Sequence, residues 1–145
     1  MSERILKVRH IGIVTEDIQK SVNFWVEVMG FKIFKSMKEV GDHIDNISFQ
    51  KNSSVETVKL LGPNNFMLEL LHFQNNLENK KVRKPTSYGI THIAIQVKNI
   101  ENKYNELREL GYEFTSSPTL TPDGYAKMNY FKAHDEVYIE LVEIV

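Results

Sequence analysis

The sequence predicts an α+β fold of two tandem βαβββ modules, and three observations carry that prediction. The stretch "RHIGIVTEDI" at 9–18 returns as "THIAIQVKNI" at 91–100, with His10 falling on His92. Each copy then runs through a helix-like pattern to a glycine, Gly30 or Gly111. Each closes on a similar apolar strand, "MLELL" at 67–71 and "YIELV" at 138–142. A chain that repeats one unit reads as two copies of one supersecondary block. At 145 residues it is a single domain, or two small units sharing a core.

Module one spans 5–73 and opens with a strand at 5–14. "TEDIQKSVNFWVEVMG" follows as a helix, capped by Thr15 or Asp17, with Ile18, Val22, Trp25 and Met29 on its buried face. Gly30 suits the left-handed position that ends a helix. Strands are expected near 31–37, 45–50 and 56–61. "GPNN" at 62–65 is a turn, and "FMLELLHF" at 66–73 is the closing strand. Residues 74–88 are polar and read as a linker. Module two, 89–145, restarts the pattern with a strand at 90–97. Asn99 caps its helix, with Ile100, Tyr104, Leu107 and Leu110 on one face, and Gly111 ends it. Strands are expected near 112–115, 125–132 and 137–144. Aligning His10 with His92 also matches Ile11 with Ile93, Ile13 with Ile95, Ile18 with Ile100 and Glu69 with Glu140 once the last strands are superposed.

Composition narrows the function classes. The chain is 41% hydrophobic and 26% charged, which is enough to build a core. Its formal net charge of −1 gives no electrostatic footprint for nucleic acid. The one basic run, "KKVRK" at 80–84, reads as a solvated linker; its sharper reading is a clamp for a phosphate-bearing substrate tail. With no cysteine, disulfides, thiolate metal sites and thiol nucleophiles are all excluded. "MSERILKVRH" contains neither a signal peptide nor a membrane span, so a cytoplasmic protein is expected.

Four residues sit where their type is unexpected. Side chains alternate across a strand. Ile11 and Ile13 therefore share the helix side of their sheet, and His10 points to the open side with Gly12 and Val14. His92 does the same in module two. Glu69 has Leu68 and Leu70 on one face and Met67 and Leu71 on its own. Glu140 repeats this among Tyr138, Ile139, Leu141 and Val142. A carboxylate held out of water alone costs several kcal/mol or about that, so each needs a cation, a proton or an ion pair. If a pseudo-twofold axis relates the modules, two imidazoles and two carboxylates converge on it. That set suits a divalent metal. His43, His72 and His134 fall elsewhere and read as structural or exposed.

Paired modules carrying His10, Glu69, His92 and Glu140 resemble the vicinal oxygen chelate superfamily, and within it the pattern is most similar to glyoxalase I. The resemblance implies a curved mixed sheet around a metal held by those four residues. It also implies a metal-dependent lyase or isomerase that abstracts a proton next to a carbonyl of a small oxygenated substrate, through an enediolate. Glu140 is then the first candidate base, with Glu69 its pseudo-symmetric partner. Nickel, cobalt, manganese, magnesium, iron or zinc could serve. Methylmalonyl-CoA epimerases are similar but usually carry Gln at the place of Glu69; Asp45 falls near where their second base would lie. Glyoxalase I enzymes carry Arg and Asn for glutathione at the places of Val14 and Phe73, which argues against that co-substrate here. The alternative is a non-catalytic antibiotic-binding or resistance protein of the same fold. A four-stranded unit leaves one sheet face uncovered. A homodimer is therefore expected, with each site built within one chain or from exchanged modules of two. No membrane or nucleic-acid partner is expected.

Overall fold

The structure, a computed structural model, describes residues 4–75 and 77–145. The chain divides into two compact units, Met1–Asn79 and Lys80–Val145. Unit one contains β1 (Ile11–Val14), α1 (Ile18–Asn23), β2 (Lys32–Val40), α2 (Asp42–Ser48), β3 (Ser54–Leu61) and β4 (Met67–Phe73). Its sheet has the order β1-β4-β3-β2, with β1 parallel to β4 and the other neighbours antiparallel. Unit two contains β5 (His92–Gln96), α3 (Ile100–Glu109), β6 (Thr119–Leu120), β7 (Ala126–Lys132) and β8 (Tyr138–Ile144). Its sheet repeats the order as β5-β8-β7-β6, again with one parallel pair. These are two four-stranded mixed sheets of α+β type.

The helix ends follow the sequence signals. Asp17 accepts the Lys20 amide and Asn99 the Asn102 amide, satisfying donors that a helix N-terminus leaves free. Gly30 and Gly111 adopt φ of +76° and +90°, the left-handed region that a Cβ disfavours. Between Asn23 and Gly30 the first helix widens into a π turn over Phe24–Val28, with Met29 N donating to Phe24 O at 3.1 Å. The wider turn brings the adjacent Phe24 and Trp25 both into the core, where Trp25 meets the rings of Phe24 and Phe31 edge-on. The expected stripe of Ile18, Val22, Trp25 and Met29 is thus shifted, and Ser21 and Phe24 are buried instead of Val22 and Met29.

Three expectations are corrected. Residues 45–50 are not a strand; most of them lie in α2, whose Ile44 is buried and whose Asp45 accepts the Asn52 and Ser53 amides at 2.9 and 2.7 Å. The first strand covers only Ile11–Val14, so His10 stands immediately before it. Residues 112–115 contribute a single bridge, Phe114 to Phe131, rather than a strand.

The basic run at 80–84 is largely exposed, as expected, but it is also anchored to residues of unit two. Glu136 takes the Arg83 amide at 2.9 Å, Lys80 Nζ at 3.7 Å and Lys132 Nζ. The Tyr138 hydroxyl donates to Arg83 O, and the Arg83 guanidinium donates to the carbonyls of Tyr88 and Ile90. Glu136 does this from a φ of +58°, unfavourable for a side chain of its size. Burial pushes its carboxyl up, but the Lys132 and Arg83 hydrogen bonds and the charges of Lys132 and Lys80 outweigh it, and the net direction is down. A depressed carboxyl stabilises the fold above its ordinary value near 4.5, and that contribution is lost as pH falls through the folded value. Glu136→Gln is expected to lower stability at pH 7 by about 1–3 kcal/mol. Urea unfolding at pH 7 and pH 3 checks this: the gap between variant and wild type should narrow at the lower pH.

Candidate functional site

In each unit the parallel strand pair builds the same local arrangement. Gly12 lies opposite Glu69 across β1 and β4, and Ala94 lies opposite Glu140 across β5 and β8. Each imidazole stands two residues before that small residue and so shares its face. His10 Nε2 is 3.6 Å from Glu69 Oε1, and His92 Nε2 is 3.1 Å from Glu140 Oε2. The two glutamate side chains are 15% and 14% exposed, as expected of carboxylates flanked by apolar residues on both faces. His92 Nδ1 lies 3.1 Å from the Thr91 hydroxyl. A ring nitrogen fixed in this way orients the other toward its partner.

The next strand supplies a different partner in each unit. Lys59 on β3 lies opposite Glu69, with Nζ 3.3 Å from Oε2, so His10 and Lys59 take separate oxygens. Tyr130 on β7 lies opposite Glu140 and hydrogen-bonds to it. Burial pushes the Tyr130 phenol up, and the Glu140 charge and hydrogen bond push it further, so the phenol is a neutral donor near pH 7. Its ring packs edge-on against His92. Neither Lys59 nor Tyr130 was singled out from the sequence. Both could have been: they stand as far before the turn residues Asn64 and Asp135 as the glutamates stand after them.

Residues 7–141 match the Glyoxalase/Bleomycin resistance protein/Dioxygenase superfamily. The chain belongs to this superfamily. It is 24% identical over 136 residues to the uncharacterized protein YwkD of Bacillus subtilis, covering 94% of this chain and 95% of that one. A glyoxalase family protein from Bacillus cereus has a similar fold, with TM-score 0.87, 16% identity and 99% and 97% of the two chains covered. A glyoxalase family protein from Enterococcus faecalis gives 0.69 at 23% identity, covering 95% and 98%. An antibiotic binding protein from Streptomyces sp. CB03234 gives 0.67 at 16%, covering 99% and 100%.

Superfamily members often hold a divalent metal, and the donor chemistry here is compatible with one. Each unit presents an imidazole Nε2 beside a mostly buried carboxylate, one nitrogen and one oxygen donor of the kinds that divalent ions take. Among the described residues, no group of three or more His, Asp or Glu side chains lies close enough to hold an ion. The remaining candidates have local duties. His72 Nδ1 is 3.0 Å from Thr15 O, His43 lies on α2, and His134 sits in the turn before β8 against the Tyr112 ring. Asp45 has both oxygens engaged by backbone amides; the Ser53 amide chiefly holds its carboxyl below the usual range. No helix among the described residues is long and apolar enough to cross a membrane.

Proposed function

We propose that the chain is a divalent-metal-dependent lyase or isomerase of the superfamily, with His10, Glu69, His92 and Glu140 as the metal ligands. The repeated imidazole–carboxylate pair at equivalent strand positions carries this reading. A divalent ion in such a set supplies Lewis-acid stabilisation to an enediolate. Glu140 is the base: it accepts a proton from the carbon beside the substrate carbonyl, and the C–H electron pair moves into the enediolate. The same carboxylic acid then returns the proton to the neighbouring carbon on the same face. Lys59 favours this assignment, because an ammonium already occupies Oε2 of Glu69 while Glu140 has only the neutral Tyr130 phenol and His92 beside it. Tyr130 positions the Glu140 carboxylate. Val14 and Phe73 offer no hydrogen bond to a peptide carboxylate, so glutathione is not part of the proposal.

Protein incubated with each candidate ion in D₂O and a small α-hydroxy ketone such as dihydroxyacetone tests the chemistry by NMR. Metal-dependent loss of the carbon-bound proton signal is expected. A second reading, a non-catalytic binder, is favoured by the likeness to the Streptomyces antibiotic binding protein. That reading expects no exchange with any ion. A homodimer covers the open sheet faces; light scattering at micromolar concentration should give twice the 16.9 kDa chain mass.

A further inference from the structure

The open face of unit one carries a row of lysines, of which the proposed chemistry involves Lys59 alone, through Glu69. Lys32 and Lys35 are three residues apart, and in a regular strand an odd separation puts them on opposite faces. A β-bulge between Ile33 and Lys35 absorbs one residue. Lys32 is thereby opposite Leu61 and Lys35 opposite Lys59, so both join the face of Lys59 and Glu69. Bulges re-aim side chains in this way beside active sites. The result is a cross-strand row of Lys35, Lys59 and Glu69, with Lys32 one step along.

The charges of this row do not balance. Among the described residues Glu69 is the one carboxylate paired to Lys59, and neither Lys32 nor Lys35 has a carboxylate within salt-bridge distance. Glu39, also on this face, is four residues beyond Lys35, about 13 Å along the strand, and its Oε2 accepts the Thr57 hydroxyl. Like charges directly opposite each other across a sheet are destabilising, yet here a bulge brings Lys35 against Lys59. Unit two has no equivalent: Tyr130 stands opposite Glu140, and Lys132 is taken by Glu136.

We propose that Lys35 and Lys59, with Lys32 beside them, bind an anionic group of the substrate. The substrate is then a small oxygenated acid or phosphate ester whose vicinal oxygens occupy the His/Glu set and whose carboxylate or phosphate lies along β2 and β3. This rests on the metal-site reading above and adds the substrate class. Lys59 already touches Glu69, so an anion held by the row lies next to the proposed ligand set.

Three hydroxamates test it by calorimetry on metal-loaded protein: butyrohydroxamate, neutral beyond its chelating oxygens, succinohydroxamate, which adds a carboxylate, and phosphonoacetohydroxamate, which adds a phosphonate. At least one anionic compound should bind about tenfold or more tightly than butyrohydroxamate, the scale of one charge-assisted contact. The preferred one identifies the group as carboxylate or phosphate. In Lys35→Gln, an exposed position, and in Lys59→Gln the preference should shrink to about threefold or less. Equal binding of all three, or a preference that survives both substitutions, overturns the proposal. Inorganic phosphate and succinate with metal-free protein supply the independent arm. If no divalent ion binds the chain, the metal reading fails; the lysine row then stands only if one of these anions raises Tm in wild type and not in Lys35→Gln, and falls otherwise.

Discussion

Glu140→Gln is expected to lower proton exchange into substrate by about 10²–10⁴-fold while the chain stays folded. Gln is nearly isosteric and its amide oxygen can still ligate and accept from Tyr130, but it is a very poor base. The backbone of Glu140 is paired on both sides, to Ala94 across β5 and Tyr130 across β7, so the substitution leaves the sheet intact. Exchange should therefore collapse with little change in metal affinity or melting temperature. Unchanged exchange would move the base elsewhere, with Glu69 next. If metal is lost as well, exchange that returns at saturating metal would make Glu140 a ligand and not the base.

Phe131→Ala is expected to destabilise the chain by about 3–5 kcal/mol. Phe131 on β7 is fully buried, packs against the rings of Phe114 and Tyr112 and forms the bridge to Phe114. Removing the ring leaves a cavity on the helix side of the sheet, directly behind Tyr130 on the open side. Packing and site are thus coupled through one strand. Leu110→Ala is the control, since Leu110 is 57% exposed despite its place on the expected helix stripe; it should change stability by about 0.5 kcal/mol or less. Urea midpoints at constant slope measure both. Equal effects of the two substitutions would contradict the core described above.

The repeat made most of the fold legible. The His10–His92 alignment extends to strand pairing, since Gly12 and Ala94 occupy equivalent places opposite Glu69 and Glu140. The caps Asp17 and Asn99 and the left-handed Gly30 and Gly111 were readable because each meets a local backbone requirement. Residues 45–50 misled because Ile44 and Ile47 are too few to distinguish a helical period from alternation; what holds α2 is the Asp45 carboxylate on amides that follow the helix. The π turn was hidden because it changes which aromatic faces inward without changing the pattern that starts the helix. The anchoring of the basic run was hidden because its partner, Glu136, lies more than fifty residues away in sequence. Of the candidate site, the four pairing residues were visible as misplaced polar groups on apolar strands. Lys59 and Tyr130 needed hairpin register, and the turn Lys35 makes toward Lys59 needed the bulge, which no single-strand pattern contains.

Equilibrium dialysis of metal-stripped protein against nickel, cobalt, manganese, magnesium, iron and zinc tests the central claim most directly. One ion bound per chain is predicted, whether the site forms within one chain or between exchanged modules, with a rise in Tm on loading. Either His10→Ala or His92→Ala should weaken that binding by more than about 100-fold, beyond what losing an outer partner costs. A chain that takes up none of the six ions, and whose Tm does not move with any in excess, would contradict the claim that His10, Glu69, His92 and Glu140 form a metal site.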